Sequence, residues 1–529
     1  MKIKYNATLS LFILGTIASN AQISPVNSFL DINNIKMSIL SNGDIGWDHN
    51  QPTTEAPIGS GHSFIYSGGF WMGGLDENDS IHLAANTYYQ SGVDYWPGPI
   101  SNNYDSTYNR SWQISREQIE THIAEYGIAS YQMPEVIENW PGNGNVQNGE
   151  SQILAPFEDL NGNTFYEPQL GEHPIIRGDK AVYVIANDKT NPHGNSGGGI
   201  INAEIHIMLY GYANSNVQLN NTVFFHCEIF NRGTINYSDF YVGTFLSWDL
   251  GRYNDDYVGC DTTRNTAFIY NGDNNDEDVY GINPPAAGIV SLNTPMASHI
   301  FYNNDFSPIN GNPNNVNHFY NYLSGKWKDG SDITEGEYGT NTLNPSTTYM
   351  FSGNVAENTG WTEQSVNGFP SDRTALQSEY FNYFDANSSI CIDYAMIYAR
   401  DTSLSNYENV EHLLASVDSI QNFYDDHYEG CSITGTDIGN LDILENDFKG
   451  DIDLSFNKNH QKWQLTFTEM NGENAELRIL NTLGQLIKKD QWIIMEDAYT
   501  IDFNTNPKGT YFIEVISNGS QQTFPIVLK

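Results

Sequence analysis

The clearest pattern along the chain is an alternation of apolar and polar residues over short segments bounded by Asn- and Gly-rich turns. Within residues 222–230 every second residue from Val223 to Ile229 is apolar, while His226 and Glu228 fall on the other side. A period of two with one mostly apolar side is typical of an antiparallel strand packed on one face. The same reasoning predicts strands at 181–186, 201–212, 240–248 and 390–399.

Two helices are predicted among these strands. One begins at Ser115, where Ser115 and Gln118 form a capping-box pattern in front of Ile119. The other covers residues 407–424, where apolar residues recur on a single helical face. The predicted fold class is therefore mainly β, with an antiparallel β-sandwich body and one or two packed helices.

The N-terminus has the pattern of a secretory signal. A basic start, a short apolar run over 9–17 and small residues before Gln22 predict a cleavable signal peptide over residues 1–21. No later segment approaches the roughly 20 apolar residues that a membrane-spanning helix needs. We therefore expect an exported chain without a transmembrane segment.

The remaining chain divides by composition. Residues 22–430 form a β-rich body, in which a division into two sub-domains near 175–200 is left open. Small and polar residues over 431–440 predict a linker. Residues 441–529 alternate again in short runs, which predicts a small C-terminal Ig-like β-sandwich.

The charge balance restricts the partners. Asp and Glu number 64 against 23 Lys and Arg, which gives a formal net charge of −41. Such a field repels nucleic acid and anionic membrane surfaces, and it attracts divalent cations. Four cysteines, Cys227, Cys260, Cys391 and Cys431, allow three disulfide pairings, and the sequence leaves the choice open.

The C-terminal unit resembles a known targeting domain. The matching segments are LRILNTLGQLI at 477–487, PKGTYFIEV at 507–515 and the last strand, which ends at Lys529. They resemble the type A C-terminal sorting domain of substrates of the type IX secretion system of Bacteroidota. The resemblance implies that residues 441–529 address the chain to the type IX export machinery. It also implies a protein that is secreted or held at the outer-membrane cell surface.

The body also resembles a recurrent secreted family of the same phylum. The matching segments are 68–76, 94–99, 154–163, 255–261 and 327–330. They occur in order through most of residues 30–425. Because that family has no established activity, the resemblance implies a location and an architecture but no reaction.

The best candidate for an ion site is a loop rich in oxygen ligands. Alternate positions of a tight loop can converge on one cation, as in the first half of a calcium loop. The predicted calcium ligands are Asp159, Asn161, Asn163, the carbonyl of Phe165, and Glu167. Counted from Asp159, position twelve of the loop is Leu170, where a calcium loop has a bidentate Glu. Glu172 could complete the set of ligands instead. The alternative is an Asx-rich turn that holds only its own backbone.

A weaker cation candidate is the acidic group Asp249, Asp255, Asp256 and Asp261. Four carboxylates in a short segment repel one another unless a cation neutralises them. The alternative is a solvated acidic loop.

The sequence contains no motif that assigns catalytic or cofactor-binding residues. His206 and His226 are expected to be strand residues rather than metal ligands, and no carboxylate pair is nominated. These observations favour a non-enzymatic surface or binding protein with calcium-stabilised loops that engages glycans or other surface polymers. The alternative is a secreted hydrolase acting on polysaccharide or protein, which a cleft lined by paired acids and aromatic residues would favour. A third interpretation is a passive component of a surface layer.

Overall fold

The computed structural model describes residues 24–88, 92–214, 216–428 and 430–431, and then the segments 452–457, 462–467, 474–481, 486–494, 498–501, 509–517 and 520–528. The predicted signal peptide at 1–21 lies outside the described residues, as does the predicted linker beyond Cys431. The chain divides into two compact units, Met1–Gly435, here called the body, and Thr436–Lys529, the C-terminal unit. In the described part of the chain, no helix combines the length and the apolar character needed to cross a membrane.

The strands of the body are β1 (Asn27–Leu30), β2 (Met37–Leu40), β3 (Ile65–Leu75), β4 (Ile81–Ala85), β5 (Trp96–Pro97), β6 (Trp112–Ser115), β7 (Phe157–Glu158), β8 (His173–Pro174), β9 (Lys180–Asn187), β10 (Ala203–Gly211), β11 (Thr222–Asn231), β12 (Tyr237–Trp248), β13 (Asp256–Asp261), β14 (Thr266–Asn271), β15 (Asn275–Asp276), β16 (Gly281–Ile282), β17 (Ala286–Ser291), β18 (Met296–Tyr302), β19 (Ile333–Thr334), β20 (Ser346–Thr347), β21 (Arg373–Phe384) and β22 (Ser389–Ala399). The helices are α1 (Arg116–Glu125), α2 (Glu135–Glu138), α3 (Val217–Asn220), α4 (Val316–Leu323) and α5 (Asn406–His427).

Two antiparallel sheets carry the body. The larger has nine strands in the order β13-β14-β17-β22-β11-β10-β9-β5, with β6 also paired to β9. The smaller has five strands in the order β18-β21-β12-β3-β4. Their inner faces share one hydrophobic core, in which Phe70 of β3 contacts Tyr394 of β22 at a ring-centroid distance of 6.0 Å. The predicted antiparallel sandwich is therefore confirmed.

The predicted alternation decides which face of the large sheet is inside. From Val223 to Ile229, the apolar residues of β11 lie in the shared core. On the opposite face, Phe224 packs against Phe423 of α5, with centroids 6.2 Å apart. The outer face of this sheet is thus covered as well, which explains why polar residues such as His226 are buried there.

Both predicted helices are present, and each begins with a capping box. The Ser115 side chain accepts the N–H of Gln118, and the Gln118 side chain accepts the N–H of Ser115. A second capping box, Ser405 with Glu408, begins α5, which extends slightly beyond the predicted 407–424 at both ends. The smaller sheet has its own helix, α4, whose Phe319 packs on Trp71 at 4.8 Å between ring centroids.

The C-terminal unit is a second, smaller sandwich. Its strands are β23 (Ile452–Asn457), β24 (Lys462–Phe467), β25 (Asn474–Asn481), β26 (Leu486–Ile493), β27 (Ala498–Ile501), β28 (Gly509–Ser517) and β29 (Ser520–Leu528). They form the sheets β23-β24-β27 and β26-β25-β28-β29, all antiparallel. Leu465 and Ile501 from the first sheet share a core with Leu477 and Ile513 from the second.

The structure also resolves the open question of the cysteines. Cys391 of β22 is bonded to Cys431, and their Cα atoms lie 5.9 Å apart. Cys227 and Cys260 are buried free thiols. The disulfide ties the segment that follows α5 back to the middle of the large sheet.

Candidate functional site

A cavity with a volume of about 550 Å³ opens at one end of the five-stranded sheet. Its size falls within the range of about 300–1,000 Å³ that is typical of small-ligand sites. β3 and β21 begin there, and β4, β12 and β18 end there, because neighbouring strands run in opposite directions. The loops that follow or precede these ends therefore converge. The cavity, here called the aromatic–carboxyl pocket, is lined by Trp47, His49, Tyr66, Tyr88, Ser247, Asp249, Tyr253, Asn304 and Asp372.

Aromatic rings form several walls of the aromatic–carboxyl pocket. The ring centroids of Trp47 and Tyr66 lie 6.1 Å apart with planes tilted by 44°. Those of Tyr66 and Tyr88 lie 6.4 Å apart with a tilt of 55°. The Tyr88 hydroxyl bonds with Ser247 at 3.0 Å, which fixes its ring, whereas Tyr253 is 56% exposed at the rim. The rings are therefore inclined to one another instead of forming one flat surface.

Two carboxyl groups face the same cavity. Burial, and then repulsion from Asp372, raise the pKa of Asp249 to about 8. Burial also raises the pKa of Asp372, although a hydrogen bond from Asn304 and the charge of Arg373 oppose that shift. Asp249 is consequently protonated over most of the neutral range and can donate as well as accept a hydrogen bond.

Among the described lining residues, His49 is the one basic side chain that shares the pocket with this pair. No lysine or arginine occurs among the described residues that line the pocket. The lining residue His49 has its Nε2 3.4 Å from Asp44 Oδ2. Arg373, which acts on Asp372 from outside the lining, is itself paired with Glu363 at 2.7 Å. The pocket therefore presents carboxyl oxygens and aromatic faces to a ligand.

The four acids of the weaker cation site predicted from the sequence do not all lie at one point in the structure. Asp249 lies in the pocket, Asp255 follows in the same loop, and Asp256 begins β13. Burial raises the pKa of Asp255 to about 6. Asp256 and Asp261 stand at opposite ends of β13. At about 3.3 Å per residue they are roughly 16 Å apart, so one ion cannot bind both. Asp261 instead pairs with Arg264 at 2.7 Å.

The predicted calcium loop is compact and exposed. Asp159 Oδ1 accepts the N–H of Gly162 at 2.7 Å, and its Oδ2 accepts the N–H of Thr164 at 2.7 Å. These backbone hydrogen bonds, with that of Thr164 the largest, lower the pKa of Asp159. The side chains of Asn161 and Asn163 both donate to Glu167 Oε2, at 3.1 and 2.6 Å. Four of the five predicted ligands thus belong to one hydrogen-bonded loop.

A buried acid lies directly behind this loop. Glu172 is fully buried, and its Oε2 accepts the N–H of Glu167 at 2.7 Å. No described group bonds to its Oε1. The Phe165 side chain is exposed. Because a phenyl ring has no atom that can bind a calcium ion, only the carbonyl of this residue can serve as a ligand.

Sequence reasoning missed a buried polar network on the outer face of the large sheet. Asp393 Oδ1 lies 2.9 Å from Arg177 and 2.7 Å from His226 Nδ1, and Tyr424 bonds to Oδ2. Among the described residues, His226, Cys391 and Asp393 are the one trio of possible metal ligands gathered within 4.8 Å. Because Cys391 is in the disulfide, its sulfur is not available as a thiolate. We interpret the network as structural.

The comparisons with known proteins define the class. Residues 457–529 match the family described as the secretion system C-terminal sorting domain. The C-terminal unit is therefore a sorting domain of the type IX secretion system, and the chain is a protein destined for secretion or for attachment to the cell surface. No curated protein matches the sequence.

Solved structures share only a remote likeness with the chain. A polysaccharide lyase has 9% identity and a TM-score of 0.17, over 61% of this chain and 34% of that one. The heparan sulfate lyase HepC from Pedobacter heparinus has 10% identity and a TM-score of 0.20, over 97% and 42%. A GalM/aldose epimerase homologue from C. elegans has 8% and 0.23, over 71% and 99%. The chain spans about a third of the first lyase, and none of these likenesses carries an argument about function.

Proposed function

We propose that the body binds carbohydrate and that the aromatic–carboxyl pocket holds a sugar residue of a polysaccharide outside the cell. The observation that carries this proposal is the combination, in one cavity of about 550 Å³, of inclined aromatic faces and two carboxyl groups, with no lysine or arginine among the described lining residues. The C–H faces of a sugar ring pack against aromatic rings, and its hydroxyls need hydrogen-bond partners. Both kinds of partner line this pocket.

The position of the pocket supports the same function. It is built from loops at the ends of five strands, which hold its side chains on a rigid sheet. Tyr253 at the rim is exposed, so a polymer can reach it without a change of fold. A secreted protein meets polysaccharide in its surroundings or on its own cell surface.

The test is calorimetric titration of the full chain with a panel of soluble polysaccharides. For a polymer that binds, Tyr253→Ala should weaken the affinity about tenfold, since one aromatic wall is lost. The matched control is Tyr383→Ala, because Tyr383 is 71% exposed near the far end of β21. If no polymer binds, or if both variants bind like the wild type, the proposal is wrong.

A second candidate function is glycoside hydrolysis. Asp249, with a pKa raised to about 8, is protonated beside a second carboxyl, and glycosidases use one carboxylic acid and one carboxylate on either side of the scissile bond. Asp249 would serve as the general acid and Asp372 as the base or nucleophile. Release of reducing sugar that both Asp249→Asn and Asp372→Asn abolish would establish hydrolysis. A wild type that binds polymer without releasing sugar is a binding protein only.

We further propose that a calcium ion stabilises the loop 159–167. Its ligands would be Asp159, Asn161, Asn163, the Phe165 carbonyl and Glu167, as the sequence predicts. Both asparagine side chains meet Glu167 at one point of the loop, through N–H groups that would have to turn over for their oxygens to bind an ion. Support for the ion comes from Glu172, whose buried Oε1 lacks a described partner and whose other oxygen holds the backbone of Glu167. Thermal unfolding with and without calcium tests this proposal.

A further inference from the structure

The aromatic–carboxyl pocket gathers two carboxyl groups whose ionisation is opposed by burial. Asp249 and Asp372 both line the cavity, and among its described lining residues there is no lysine or arginine. A carboxyl held in this way is stabilised most by a ligand that brings a positive charge. Neutral sugar hydroxyls would supply hydrogen bonds but no charge.

The rings around these carboxyls suit the same kind of ligand. The negative face of an aromatic ring attracts a cation placed within about 6 Å of its centroid. Trp47, Tyr66 and Tyr88 are inclined by 44° and 55° in successive pairs, so their faces partly surround a ligand. Inclined walls of this kind are a feature of sites that bind ammonium groups, whereas a flat platform is enough for stacking alone.

The net charge of the chain disfavours the binding of anionic sugars. The formal net charge is −41, and no described lysine or arginine lines the pocket. A uronate or sulfated sugar would meet repulsion both at long range and in the pocket. A cationic sugar would be attracted at both stages.

We propose that the aromatic–carboxyl pocket recognises a protonated amino sugar, such as a glucosamine unit of a de-N-acetylated glycan. The ammonium group would lie against Asp249 and Asp372, with the tyrosine faces around it. This inference rests on the proposed carbohydrate function and names the class of sugar that the pocket selects.

The experiment compares two tetramers that differ only in the acetyl groups. The full chain is titrated at neutral pH with a β-1,4-linked glucosamine tetramer and with the N-acetylglucosamine tetramer of equal length. We expect the wild type to bind the amine form about tenfold more tightly or better. The double variant Asp249→Asn/Asp372→Asn should lose this preference and still bind the acetylated tetramer, because amides keep the shape and the hydrogen-bonding capacity of the pocket.

The control and the contrary outcomes separate this inference from the proposed function. Asp385→Asn, an exposed acid beyond the far end of β21, should keep the preference of the wild type. Equal or tighter binding of the acetylated tetramer by the wild type would overturn the amino-sugar inference and leave carbohydrate binding standing. Binding of neither tetramer nor any other polymer would overturn both. Binding of a trimethyllysine peptide without any sugar would replace the sugar with a peptide.

Discussion

Replacement of Asp249 by asparagine should make the protein more stable. Asp249 is largely buried, and burial and the nearby Asp372 raise its pKa from 3.8 to about 8. In the unfolded chain the same group ionises near its ordinary pKa. Between these two values the folded state binds one more proton than the unfolded state, so stability falls as the pH rises. Asparagine has a similar shape and no proton to lose.

The size of the effect follows from the two pKa values. They differ by roughly 4 units, from 3.8 to about 8. At about 1.36 kcal/mol per unit, this difference corresponds to roughly 5 to 6 kcal/mol, of which about 4 kcal/mol is present at pH 7. The stability advantage of Asp249→Asn should therefore grow by about 1.4 kcal/mol per pH unit from about pH 4 and level off above about pH 8.

The assay is urea unfolding of the full chain across this pH range, followed by tryptophan fluorescence. The comparison of Asp249→Asn with the wild type cancels the contributions of titrating groups that do not interact with Asp249. Asp385→Asn, an exposed acid, serves as the control and should change stability by less than about 0.5 kcal/mol at all pH values. A difference between Asp249→Asn and the wild type that does not depend on pH would refute the reasoning.

Three more outcomes are expected from other parts of the body. Saturating calcium, at about 100 times its dissociation constant, should add about 2.7 kcal/mol to stability, which is roughly 3 °C in melting temperature for a body of about 400 residues; Asp159→Ala should abolish this shift in a thermal scan. Asp393→Ala leaves Arg177 buried without its carboxylate and should lower the free energy of unfolding by about 3–5 kcal/mol in denaturant titrations. Cys431→Ser opens a disulfide that spans 40 residues, and a loss of about 4 kcal/mol is expected by the same measurement.

Each of these outcomes has a matched control. Magnesium in place of calcium should produce a smaller shift, because it resists the loss of its water shell. Asp31→Ala removes the partly exposed ion pair with Lys180 and should change stability by less than about 1 kcal/mol. Addition of reductant to Cys431→Ser should have little further effect, because the other two cysteines of the body are free thiols. Equal effects of a variant and its control would contradict the corresponding explanation.

Local patterns were enough to predict most of the architecture. Period-two alternation placed β9 to β12 and β22 to within a few residues, because each of these strands packs one face on the core. A capping box placed the start of α1, because the same few side chains satisfy the first N–H groups of a helix wherever it folds, and an apolar face placed α5 to within a few residues. The order of the strands in the sheets could not be predicted, since it depends on contacts between distant segments.

The candidate site could be predicted only in part for the same reason. Asp249 stood out in an acidic segment, but its partner Asp372 comes from the start of β21, more than a hundred residues later. Trp47, from the connection between β2 and β3, and Tyr66 of β3 also line the pocket, and they show no local signal of a shared site. The calcium loop was recognisable because all its predicted ligands lie within nine residues, 159–167.

The position of a bound sugar tests the central claim most directly. The measurement is a crystal structure of the full chain grown with a saturating glucosamine tetramer. We expect one sugar ring between Tyr253 and Tyr66, with its ammonium nitrogen within hydrogen-bond distance of Asp249. A tetramer bound elsewhere on the body, with the aromatic–carboxyl pocket unchanged, would contradict the account.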